Sequence, residues 1–131
     1  MQGPHLMLDC YDCPREKLEA ADFILQLLES LPAKIGLPGT VSPPAIFNYE
    51  GEEALEWGIS GVIRTSLAHI SIHTFPDKNH AFVDVFARGN FNVTQARELL
   101  VSIFNAEDYE EVVVDAEADD TGEVLCRPLI S

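Results

Sequence analysis

The chain has 131 residues, 47% of them hydrophobic, enough for one domain with its own core. It carries 22 acidic against 8 basic residues, a formal charge of −14, which repels phosphate backbones and argues against nucleic-acid binding. No apolar run approaches the ~20 residues that a membrane-spanning helix needs, and the opening MQGPHLMLDC lacks the basic and apolar regions of a signal peptide. A single cytoplasmic domain over residues 1–131, with no membrane contact, is expected.

Residues 4–11, PHLMLDCY, read as a first strand. Asp12 supplies a cap and Pro14 opens a helix, where a missing N–H costs nothing. Leu18, Ala21, Ile24, Leu25 and Leu28 recur at helical spacing, which predicts an amphipathic helix to about Leu31, ended by Pro32. The Gly- and Pro-rich LPAKIGLPGTVSPP reads as an irregular loop. Cys10 and Cys13 form a C-x-x-C, read as a strand-end and a cap-region cysteine. Cys126 is alone, so neither a disulfide framework nor a second zinc pair is expected.

Ala45 to Tyr49 predicts a second strand, and the acidic Glu50 to Trp57 a helical turn or a loop. A strand over 59–66 follows. In HISIHTF, residues 69–75, His69, Ser71, His73 and Phe75 point one way and Ile70, Ile72 and Thr74 the other, the period of a two-faced strand. His69 and His73 lie roughly 13 Å apart at the strand rise, too far to share a metal. Pro76-Asp77-Lys78-Asn79 has turn chemistry. Over 80–88, Ala81, Val83, Val85 and Ala87 make an apolar face, and Phe82, Asp84, Phe86 and Arg88 a mixed one. Asn92 or Thr94 caps a second helix striped with Val93, Ala96, Leu99, Leu100, Ile103 and Phe104. Tyr109 to Asp115 is a strand, and the tail turns at Thr121-Gly122 into an edge strand. The acid of Glu107 to Glu123 reads as a solvated edge.

This order predicts an α+β fold: a two-layer α/β sandwich, with a mainly antiparallel sheet and two helices on one face. The other face is then free for a site or a subunit contact.

Four segments, in order, resemble the small bacterial and archaeal S-adenosylmethionine decarboxylases, the pyruvoyl enzymes of spermidine synthesis. They are GPHLMLDCYDCPREKL, GISGV at 58–62, HISIHTFPD at 69–77 and AFVDVFARG at 81–89. The resemblance implies a serine just before the first His of the third segment. That serine attacks its preceding carbonyl, the chain is cut, and a pyruvoyl group is left for Schiff-base chemistry. Here the family's Ser-Glu-Ser-His reads Ser66-Leu67-Ala68-His69, so no pyruvoyl cofactor is expected. The family's proton-donating cysteine falls at Arg88, whose guanidinium does not readily release a proton.

The resemblance also matches Ser60 and His73 to residues that assist self-cleavage, and Asp77 to an acid that holds ribose hydroxyls. It places the adenine-stacking aromatic between Phe47 and Trp57. Ser60 and Arg64 share a strand face, so Arg64 and Arg88 are candidates for holding a ligand carboxylate, unless they pair with Asp84 or Asp77. A homodimer is implied. Three readings remain open. One is an unprocessed, non-catalytic relative that binds an S-adenosylmethionine-like ligand or regulates an active paralogue. Another is an enzyme, either with Ser66 as displaced nucleophile or with His73 as acid or base without a pyruvoyl group. The last is a structural oligomerisation module.

Overall fold

The structure, a computed structural model, describes residues 3–50, 57–115 and, for the backbone, 125–130. The strands are β1 (Pro4–Tyr11), β2 (Ala45–Tyr49), β3 (Gly58–Arg64), β4 (Ala68–Phe75), β5 (His80–Ala87), β6 (Asp108–Asp115) and β7 (Leu125–Ile130). The helices are α1 (Arg15–Leu18), α2 (Ala21–Lys34) and α3 (Val93–Ile103). The strands form one sheet in the order β2-β3-β4-β5-β1-β6-β7. Every neighbouring pair is antiparallel.

Alternation decides the layers. Leu6, Leu8 and Cys10 of β1, Ile63 of β3, Ile70 and Ile72 of β4, and Val83 and Val85 of β5 are buried on one face. There they meet Ile24, Leu28 and Leu31 of α2 and Ala96 and Leu100 of α3. Each fully buried Leu or Ile contributes about 1.5–3 kcal/mol by leaving water. Gly61 lets α2 lie close, because a Cβ there would come 2.6 Å from Leu28 Cδ1 and 2.8 Å from Ile46 Cδ1. The two-layer α+β expectation holds.

The first helix departs from expectation at both ends. It is interrupted at Glu19–Ala20, because the Leu18 carbonyl accepts the Thr74 hydroxyl of β4 at 2.7 Å. Thr74 is itself buried and accepts the Ile59 N–H at 3.0 Å. Asp12 does not cap α1; it sits at a φ of 56°. Pro32 lies inside the last turn of α2, which closes with the Ile35 N–H on the Leu31 carbonyl at 3.1 Å. By contrast α3 starts as expected, with Asn92 Oδ1 accepting the Gln95 N–H at 2.9 Å.

Two further corrections concern the strands. β3 ends at Arg64, because Thr65 and Ala68 close a turn, with the Thr65 N–H donating to the Ala68 carbonyl at 2.8 Å. Ser66 is therefore a turn residue and does not share a strand face with Ala68. In the acidic C-terminal stretch, Glu111 is not solvated. It is 2% exposed and accepts from Arg97 Nη1 at 3.1 and 3.2 Å. The tail's Thr121-Gly122 turn, residues 51–56 of the acidic stretch and the Cys126 side chain lie outside the described residues.

Removing Arg97 strands a buried carboxylate, so Arg97→Ala is expected to cost about 3–5 kcal/mol in urea unfolding. The double variant Arg97→Met/Glu111→Leu should recover most of that loss; failure to recover it would show that the pair contributes more than mutual neutralisation. The cysteines give a pH prediction. Burial pushes the Cys10 thiol from 9.0 up to about 12, with Cys13 and Asp9 adding to the shift. Burial, then Asp12, pushes Cys13 up to about 11. Unfolded thiols ionise near 9.0 while the folded ones keep their protons. This stabilisation is complete below that pH and declines as pH climbs toward 11 and 12. In a Cys126→Ser background, a thiol reagent at about pH 8 should label neither cysteine until the chain unfolds.

Candidate functional site

The second face of the sheet has no helix over it among the described residues. It gathers His5, Met7 and Asp9 from β1 and Ser60, Val62 and Arg64 from β3. β4 adds His69, Ser71, His73 and Phe75, and β5 adds His80, Phe82, Asp84 and Phe86. All 4 histidines of the chain are on it. Phe47 of β2 lies opposite Ser60 and is 59% exposed. Three groups of side chains divide this face along β4.

The first lies where β4 begins. Arg64 is directly opposite His69, and His69 is opposite Phe86. Arg88 continues the β5 alternation one step beyond Ala87, and its N–H donates to the Leu67 carbonyl at 2.6 Å. Arg64, His69, Phe86 and Arg88, with the turn from Thr65 to Ala68, line a cleft of about 160 Å³. Arg64, Ala68 and Arg88 thus line one cleft. Ala68 has the parity of Ile70 and Ile72, and its methyl packs against the core. It offers no oxygen, so the residues here do not fit a pyruvoyl group made from a serine.

The second group lies in the middle. Ser60 and His73 are paired across β3 and β4, and Ser60 Oγ is 2.8 Å from His73 Nδ1. His73 stacks on Phe82 with ring centroids 6.4 Å apart. Ser60, His73, Thr74 and Phe75 line a cavity of about 330 Å³. With the proton on Nε2, His73 can accept the Ser60 proton at Nδ1. This dyad is five residues along β4 from Ala68, roughly 17 Å at the strand rise.

The third group lies past the end of β4. Asp77 accepts from Trp57 Nε1 at 2.7 Å and pairs with Arg15 Nη1 at 2.6 Å. The Arg15 guanidinium sits 5.8 Å from the Trp57 ring centroid. Asp77 and Trp57 are thus brought together, but far from Arg64 and Arg88. The alternative partners for those arginines are taken: Asp84 pairs with His5 Nε2 at 2.7 Å, and Asp77 is held by Arg15 and Trp57. Among the described residues neither Arg64 nor Arg88 has an ion pair.

Sequence reasoning missed His5 and His80. His80 Nε2 is 2.7 Å from Asp9 Oδ1 and its ring stacks on Tyr11 at 5.0 Å. The alternation of PHLMLDCY held a signal, because His5 and Asp9 share parity, but their partners come from β5, more than seventy residues away.

A family model described as S-adenosylmethionine decarboxylase matches residues 4–116. The S-adenosylmethionine decarboxylase proenzyme of Geobacillus kaustophilus is 27% identical over 110 residues, covering 84% of this chain and 83% of that protein. The proenzyme of Clostridium kluyveri is 33% identical over 105 residues, covering 79% and 78%. A crystal structure of the adenosylmethionine decarboxylase from Aquifex aeolicus superposes with a TM-score of 0.70 at 24% identity, over 91% of this chain and 98% of that one, and shares its fold. A family model matching residues 4–116 and a relative 33% identical over 79% of the chain make this protein a member of the S-adenosylmethionine decarboxylase family.

Proposed function

We propose that this family member stays uncut, binds an adenosyl ligand and does not decarboxylate it. The observation that carries the reading is the alanine at position 68, where the resemblance calls for the chain-cutting serine. Arg88 in place of the proton-donating cysteine agrees with it. Ser66 is a poor substitute nucleophile. Its N–H donates to the Gly39 carbonyl at 2.9 Å, and it sits against Gly39, held in the turn rather than on β4.

The working unit in this reading is a dimer of open faces. The Ser60–His73 dyad and the Trp57–Asp77 pair are too far along β4 to share one small ligand with Ala68 in the same chain. A two-fold axis through the face sets one chain's dyad over the other chain's Ala68 end. Half-buried Phe82 and Phe86 and exposed Phe47 suit such burial. A second reading, regulation of an active paralogue, draws on the retained dyad. An uncut chain has no use for it in its own processing, but across a heterodimer it would serve the partner's.

Intact-mass spectrometry of fresh protein should give one species near 14.5 kDa, and carboxyl-labelled S-adenosylmethionine should release no carbon dioxide. Two fragments, or labelled gas, would overturn the reading. Sedimentation should show a dimer that Phe82→Glu converts to monomer; a wild-type monomer at all concentrations removes the shared-site geometry.

A further inference from the structure

The cleft at the start of β4 is anomalous in charge. The chain has 22 acidic residues, yet the residues that line this cleft include two arginines and no acid. The two carboxylates of the open face on β1 and β5, Asp9 and Asp84, are each hydrogen-bonded to a histidine at 2.7 Å. The other arginines with described side chains are engaged: Arg15 with Asp77 and Glu19, and Arg97 with Glu111. Two like charges facing one small cavity repel each other until an anion comes between them.

The arginine backbones are fixed. The Arg64 carbonyl accepts the Val41 N–H at 3.1 Å, and Arg88 is tied to the Leu67 carbonyl. The turn between them is closed by the Thr65–Ala68 bond and by the Leu67 N–H on Thr65 Oγ1 at 3.2 Å. Arg64 on β3 and Arg88 beyond β5 stand on either side of β4, about 10 Å apart across two strand spacings. At about 160 Å³ the cleft is below the size of a whole-ligand pocket and takes one end of a molecule.

We propose that Arg64 and Arg88 form a carboxylate clamp that makes the site select the carboxylate-bearing adenosyl ligand over its decarboxylated form. The inference rests on the adenosyl-binding reading above and adds its selectivity. Such a protein reports the ratio of a decarboxylase's substrate to its product instead of converting one to the other. The direction of selectivity is informative. Decarboxylation leaves a ligand with one more net positive charge, which a chain at −14 attracts more strongly at long range. Preference for the carboxylate form must therefore come from local contacts, and a guanidinium fork supplies them.

Calorimetry with S-adenosylmethionine and with decarboxylated S-adenosylmethionine tests this. The carboxylate form is expected to bind roughly ten- to a hundredfold more tightly, the range for a charge-assisted hydrogen bond. Arg88→Gln and Arg64→Gln should each close most of that gap and leave the decarboxylated ligand's affinity unchanged or improved. Both positions are exposed, so neither variant threatens the fold. Equal affinities for the two ligands would overturn the clamp and leave the adenosyl site standing. Heat from neither would overturn the adenosyl reading. The clamp is then judged with methionine, which keeps the amino-acid end, carboxylate included, without the adenosyl group: no shift of the arginine Nε–H resonances at millimolar methionine overturns it as well.

Discussion

One layer of helices covers only one face of a sheet, and the rest of this molecule is arranged around that limit. Each central strand alternates between a side that must be apolar, because α2 and α3 lie on it, and a side with no such requirement. Freed from the core, the second side collects what a core cannot hold: all 4 histidines, two aspartates and a serine within 2.8 Å of an imidazole. A half-buried face with that content satisfies its polar groups by cross-strand pairing and leaves aromatic area uncovered. This is the physical basis for both the ligand and the dimer proposed above.

The elements were legible where local rules govern. The strict alternation of HISIHTF and of residues 80–88 fixed both faces of β4 and β5, and Asn92 marked the start of α3. Where a distant group intervened, local reading failed. Nothing near Leu18 foretells that Thr74, 56 residues on, will take its carbonyl and split the first helix. Glu111 looked like one more surface acid because its partner, Arg97, lies across a layer boundary. That Arg64 and Arg88 lie on the open face followed from strand parity, while their interest as candidates came from the resemblance. The pairing of Asp77 with Arg15 and Trp57 was not, because it depends on how α1 returns over the end of the sheet.

In the proposed clamp, charge placement argues against decarboxylation more strongly than does the missing hydroxyl. Expelling carbon dioxide requires the carboxylate to give up its electrons, and paired guanidiniums stabilise the charge that must leave. A site that holds the ground state more firmly than the transition state works against that reaction. In the reading proposed above, the arginines and the alanine are two aspects of one adaptation, toward retention of the ligand and away from turnover.

The position of β1 carries a consequence for how the chain is made. Among the described strands it is made first, yet its partners are β5 at residues 80–87 and β6 at 108–115. By contrast β3, β4 and β5 join their neighbours through short turns and can pair as soon as they are synthesised. The meander forms early, while β1, with Leu6, Leu8 and Cys10 bare, waits for most of the sequence before both its edges are occupied. Chaperone demand during synthesis should therefore concentrate on β1, and truncations after β5 should leave it as an edge strand paired on one side only.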